Sequence, residues 1–158
     1  MRLHQYLVLL LALPFVVLAA DLPDPVITPG ATNPSVTQDN IDDTICVKGY
    51  TKKIRPPQSF TNKLKKNQLR QYGFHDKNPS HYQEDHLIPL SIGGSPNDPE
   101  NLWPQAKNTE WDSEKKDKLE LRLHDLVCRG ELPLEEARRT ISRDWIRAYQ
   151  KYVLGNLE

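Results

Sequence analysis

The stretch YQEDHLIPLSIGGSPNDPENLWPQ, residues 82–105, gathers side chains that could do chemistry: a carboxylate at Asp85, an imidazole at His86 and an amide at Asn101. Asp85 offers oxygen ligands to a hard divalent cation, and a neutral His86 can take a proton from water near pH 7. Neighbouring residues of an extended strand point to opposite faces, so the two are not twin ligands on one side. The pattern suits a division of labour, with the acid on a cation and the imidazole on a nucleophile. A structural zinc site is not indicated, because two isolated cysteines and scattered histidines do not make four closed ligands.

These side chains need a scaffold. DHLIPL reads as a short apolar strand with the acid and the imidazole at its start, SIGGSPNDPE as a turn-rich connection, and NLWPQ as a second strand. Trp111, Lys115, Leu119, Leu123 and Leu126 then recur near helical spacing and Gly130 follows, which predicts a long amphipathic helix directly after the hairpin. A hairpin packed on a helix can converge on one ion. Upstream, TICVKGYTKKIRPP predicts a short strand or extended arm ending at Pro56-Pro57, followed by a basic helix over 63–71 with Thr61 or Asn62 as its N-cap. Downstream, a helix from Pro133 to Gly155 carries Leu134, Ala137, Ile141, Trp145, Tyr149 and Tyr152 along one stripe, which reads as core. The fold class expected is α+β, a small ββα core of hairpin plus helix embedded in a mainly helical domain.

The order EDHLIPL, then GG, then NLW and a helix resembles the HNH endonuclease family, whose ββα-metal fold cleaves nucleic-acid phosphodiesters; the match covers residues 82–120. The wider context, from CVKGYTKKIRPP to KKDKLELRLHDLVCRGEL, is similar to exported bacterial proteins that carry an HNH signature. The resemblance implies that His86 is the general base, that Asp85 beside it binds metal, and that Asn101 steadies the loop and the imidazole. The family's third histidine has no counterpart at its spacing, since the next one after Asn101 is His124. Asn108, or Glu114 at the helix start, is the expected substitute metal ligand, with Asp112 and Asp117 as further options. The implied cofactor is a divalent metal, Mg²⁺ first, with Mn²⁺, Ni²⁺ or Zn²⁺ also accepted by such sites. The implied function is metal-dependent endonuclease activity; the alternative is a catalytically inactive nucleic-acid or polyanion-binding module on the same fold.

Charge distribution bears on the partner. The chain is neutral overall, yet residues 48–77 hold nine Lys and Arg against Asp76 alone, and the remainder is acidic. Lys63, Lys65, Lys66 and Arg70 on the basic helix could hold phosphates without reading bases, with Arg55, Tyr72 and Lys116 as further contacts. Nucleic acid is the expected partner, DNA ahead of RNA, and an immunity or inhibitor protein is left open.

The whole chain, 158 residues with 37% hydrophobic and 27% charged content, suits one globular domain. Residues 1–20 read as a signal peptide, with a polar start, an apolar Leu7–Leu18 run too short to span a bilayer, and small residues at its end. The expectation is a secreted or periplasmic protein with no stable membrane anchor. Residues 21–40, with four prolines up to Pro34 and no aromatic, read as a flexible linker, leaving 41–158 as the HNH-like domain. Cys46 and Cys128 are the only cysteines, and an exported chain would pair them; closing so long a loop restricts the unfolded chain by about 4–5 kcal/mol on the chain-entropy model.

Overall fold

The computed structural model describes residues 21–156; the expected signal peptide lies outside the described residues. The architecture is mixed α+β, with one two-stranded antiparallel hairpin surrounded by helices, as the sequence patterns require. Strand β1, Tyr82–His86, pairs with β2, Leu102–Ala106, in a register that sets Asp85 opposite Trp103 and His86 opposite Leu102. Asp85 and His86 therefore close the first strand instead of starting it. Pro89 and a 3₁₀ turn over Leu90–Ile92 end strand geometry soon after them.

The basic segment is helical in two pieces. Helix α1, Tyr50–Ile54, follows a left-handed Gly49 where an extended arm was expected, and α2 spans Gln58–Gln71. Helix α2 begins at Gln58, several residues before Thr61, because Pro57 already holds the extended cap conformation that launches a helix. It packs against both strands, burying Gln68 and Leu69, and Gln68 Nε2 donates to the Leu102 carbonyl at 2.7 Å.

Helix α3, Ser113–Cys128, is capped by Asp112, whose Oδ1 accepts from the Lys115 amide at 3.2 Å. Its apolar face, Leu119, Leu123, Leu126 and Val127, packs on α4, Leu134–Arg143, and α5, Trp145–Tyr152. The single C-terminal helix predicted is thus two. Asp144 adopts extended backbone and caps α5 by accepting from the Arg147 amide at 2.9 Å. The apolar stripe survives the break: Leu134, Ala137, Ile141, Trp145 and Tyr149 are all buried, and Trp111 packs edge-on to Trp145 and Tyr149. The Cys46–Cys128 disulfide ties the start of the basic segment to the end of α3.

Residues 21–40 are not a free linker. Trp145 Nε1 donates to the Asp21 carbonyl at 2.9 Å, Thr28 Oγ1 donates to the Leu102 carbonyl at 3.1 Å, and Gly30 N reaches the Glu100 carbonyl at 2.9 Å. Val36 and Thr28 are buried. The strap turns at residues 25–27 and 34–35, and backbone and hydroxyl donors along it find acceptors on the hairpin and its loop.

Candidate functional site

The loop between the strands is built around Asn101, which has no exposed surface. Its Oδ1 accepts from Ile88 N at 2.9 Å, and its Nδ2 donates to the carbonyls of Ile88 at 3.0 Å and Ser95 at 2.9 Å. Asn101 thus braces the segment just beyond His86. The double glycine is dictated by the same crowding: a Cβ on Gly94 would collide with the Ile88 carbonyl oxygen, and one on left-handed Gly93 with the Arg138 guanidinium.

His86 is almost fully buried at the end of β1, with Nε2 3.0 Å from the Pro96 carbonyl. A carbonyl only accepts, so Nε2 carries the proton and the neutral ring keeps its lone pair on Nδ1. Burial pushes the pKa below the ordinary histidine value, against the opposing influence of the Pro96 hydrogen bond and the Asp85 charge. The side chain is therefore a neutral imidazole with a defined tautomer, suited to accept a proton.

Asp85 is engaged from the other side. Lys116, on the first turns of α3, has no exposed surface; its Nζ lies 2.8 Å from Asp85 Oδ2, 2.7 Å from the His86 carbonyl oxygen and 2.5 Å from Glu120 Oε1. The ammonium donates hydrogen bonds to the His86 carbonyl and to Glu120 Oε1, while Asp85 Oδ2 faces it as an ion pair without a hydrogen bond. Burial alone lowers the lysine pKa, but the charges of Asp85 and Glu120 more than reverse this and hold the ammonium protonated. Glu120 is itself shifted upward by burial, with Lys116 opposing. Exposed Asp117 is raised by partial burial and by the Asp85 charge, and Arg55 stands within electrostatic reach of both Asp117 and His86.

Residues expected to complete a metal set do not join this cluster. Asn108 is an exposed residue with φ 59° in the loop before α3, and Glu114 is exposed on the first turn of α3. Among the described residues, no three His, Cys, Asp or Glu ligand atoms converge at the hairpin edge. The Lys116 ammonium lies between Asp85 Oδ2 and Glu120 Oε1, so a cation already stands beside that oxygen of Asp85. Lys116 is also no surface phosphate contact, and the Tyr72 hydroxyl is committed to Thr28 Oγ1 at 2.6 Å.

On α2, Lys63, Lys66 and Arg70 are exposed to solvent, whereas Lys65 turns inward and donates from Nζ to the Tyr82 carbonyl at 3.0 Å. Burial and the Lys107 charge lower its pKa. Glu84, on β1 nearby, has both carboxylate oxygens buried without a hydrogen-bond partner, and burial pushes its pKa up to about 8 against the pull of Lys65.

A second cluster lies at the far end of α3. Cys46, His124 and Cys128 each place one ligand atom within 4.8 Å of the others, a set that could coordinate a metal ion. In the structure the sulfurs are joined at 1.99 Å, and His124 Nε2 sits 3.0 Å from the Ile45 carbonyl and 3.4 Å from Cys128 Sγ. Thiolate ligands become available only when that bond is opened. Sequence spacing concealed the set, since it joins an i, i+4 pair on one helix to a cysteine 82 positions from Cys128.

Protein-family models, curated proteins and solved structures contain no match to this chain. The class of the molecule rests on its own geometry. A small β-hairpin among helices, together with a Cys/His/Cys cluster at the other end of α3, is consistent with a nuclease-like or metal- and nucleic-acid-binding module. Lys116 and Glu120 are the residues sequence reasoning left out of the polar centre; their only signal was the i, i+4 spacing within KKDKLE.

Proposed function

We propose that this chain is an exported nuclease-like module that engages the phosphodiester backbone of nucleic acid, DNA ahead of RNA, along the hairpin edge and the exposed cations of α2. The observation that carries the reading is His86: a neutral imidazole whose Nε2–H is held by the Pro96 carbonyl, leaving Nδ1 to accept a proton. In a hydrolytic reaction His86 takes the proton of the attacking water, and the Pro96 carbonyl keeps the ring oriented as it charges. Asn101 holds the adjoining loop in place. Lys63, Lys66 and Arg70 supply charge for phosphates without base contacts.

One observation favours the binding half of this reading over the cutting half. Asp85 is already neutralised by buried Lys116, so the acid beside the imidazole is not free to receive a metal. A polyanion-binding module needs only the α2 cations and the hairpin, and its affinity falls steeply with salt.

Incubating the protein with supercoiled plasmid and with RNA, with EDTA or with Mg²⁺ or Mn²⁺, beside His86→Ala, separates the two. Cutting that disappears in a folded His86→Ala variant, with binding retained, establishes hydrolysis. Salt-sensitive binding without cutting under any condition assigns the binding module. Absence of both refutes a nucleic-acid role.

A further inference from the structure

The acidic remainder of the chain hides a second cationic feature, which the segment-by-segment charge pattern did not reveal. Arg139, Arg143, Arg147 and Lys151 recur every four residues, and the stripe runs unbroken across the Asp144 corner where α4 gives way to α5. The four side chains, with Thr140 and Asp144, line a cavity of about 290 Å³. All four cations are solvent-exposed, and none takes part in an ion pair among the described residues. Lys151 also lies over the Tyr152 ring, 5.2 Å from its centre. The single carboxylate in the lining, Asp144, has one oxygen committed to capping α5.

Four like charges held on one face repel one another unless an anion joins them. Guanidinium groups present parallel N–H donors that match the oxygens of a phosphate, and the Thr140 hydroxyl adds a donor of its own. We propose that the α4–α5 corner is a phosphate-binding site, sized for one or two phosphoryl groups, whose ligand is a phosphorylated small molecule or the backbone of a nucleic-acid strand. The site shares none of its lining residues with the His86 edge, and its occupancy does not depend on hydrolysis there.

Calorimetry of the intact chain at low salt, with inorganic pyrophosphate and separately with a short single-stranded DNA, tests this. The expected result is binding of pyrophosphate that weakens at least about tenfold in Arg143→Gln/Arg147→Gln, the loss of two charge-assisted contacts, and stays unchanged in Lys63→Gln/Lys66→Gln on α2. If the DNA also weakens only in the corner variant, the strand is the ligand; if pyrophosphate alone responds, the ligand is a small phosphorylated molecule. Should the first variant misfold, Arg139→Gln/Lys151→Gln provides the same test from the two ends of the stripe. No pyrophosphate binding by the parent chain, or equal loss in the corner and α2 variants, overturns the proposal. Absence of cleavage in the parent chain and DNA binding that does not respond to the α2 variant, with pyrophosphate binding intact, count against the hairpin-edge function and leave this site standing.

Discussion

Replacing Lys116 with methionine keeps an unbranched side chain one atom shorter and removes its charge. In the parent protein the ammonium lies between Asp85 and Glu120 at 2.8 and 2.5 Å, with no solvent contact of its own. Breaking a buried ion pair by deleting one partner typically costs about 3–5 kcal/mol, because the charge left behind is neither solvated nor paired. Here two carboxylates are left, so one must take up a proton for the fold to persist. The folded pKa of that carboxyl then stands above its unfolded value. The native state of the variant binds a proton that the unfolded chain has lost, and stability falls as pH rises from about 4.5 through the folded pKa. Urea unfolding at pH 5 and pH 8 reads both effects: a loss of about 3–5 kcal/mol at pH 8 and clearly less at pH 5, where protonation relieves the repulsion. Adding Asp85→Asn and Glu120→Gln to the methionine variant recovers most of the loss at pH 8. A Lys116→Met protein within about 1 kcal/mol of the parent at pH 8, or a loss equal at both pH values, refutes the idea that this ammonium holds the centre together.

Glu84 offers a second pH signature. Its pKa of about 8 in the folded state exceeds the usual 4.5, so its contribution to parent stability declines between those values as pH rises, and Glu84→Gln removes that share of the slope and stabilises the protein at pH 8.5. After allowance for partial solvation, the gain is about 2–3 kcal/mol by denaturant titration. Gly94→Ala forces a Cβ into the Ile88 carbonyl and disrupts the Asn101-braced loop, with a loss of about 3 kcal/mol or more visible in a thermal melt. Co²⁺ titration of the oxidised protein gives no thiolate-to-metal absorption band; after opening of the Cys46–Cys128 bond by a dithiol the band develops, and His124→Ala weakens the affinity.

The hairpin was legible because its signals are local: an apolar run, a Gly/Pro/Asn connection and a second run ending in Asn-Leu-Trp leave few other pairings. Asp85 and His86 could be singled out on side-chain chemistry, and Asn101 through the resemblance of its order to the HNH pattern. What surrounds them could not. Lysine is exposed by default, so nothing in KKDKLE announced that Lys116 would be buried under the hairpin, and the outward-looking Asn108 and Glu114 were the natural choices for ligands. The break at Asp144 was masked by an apolar stripe whose period continues across it, although an aspartate three residues before Arg147 was an available cap. Composition also misled at the Pro-rich strap, because few apolar residues and many prolines describe a free linker and a docked segment equally. The difference lies in acceptors such as the Leu102 and Glu100 carbonyls, which are far away in the chain.

The link from Cys46 to Cys128 has a topological consequence. It closes a covalent ring that contains α2, both strands and nearly all of α3, so the hairpin edge and Lys116 belong to a cyclic polypeptide with two tails. One peptide bond hydrolysed by a protease in the exposed turn around Lys107 and Asn108 opens the ring without releasing a fragment. The nicked molecule migrates as one species until a reductant is added and as two afterwards. The chain can therefore be cut between its second strand and its long helix and still keep both parts of its polar centre on one molecule.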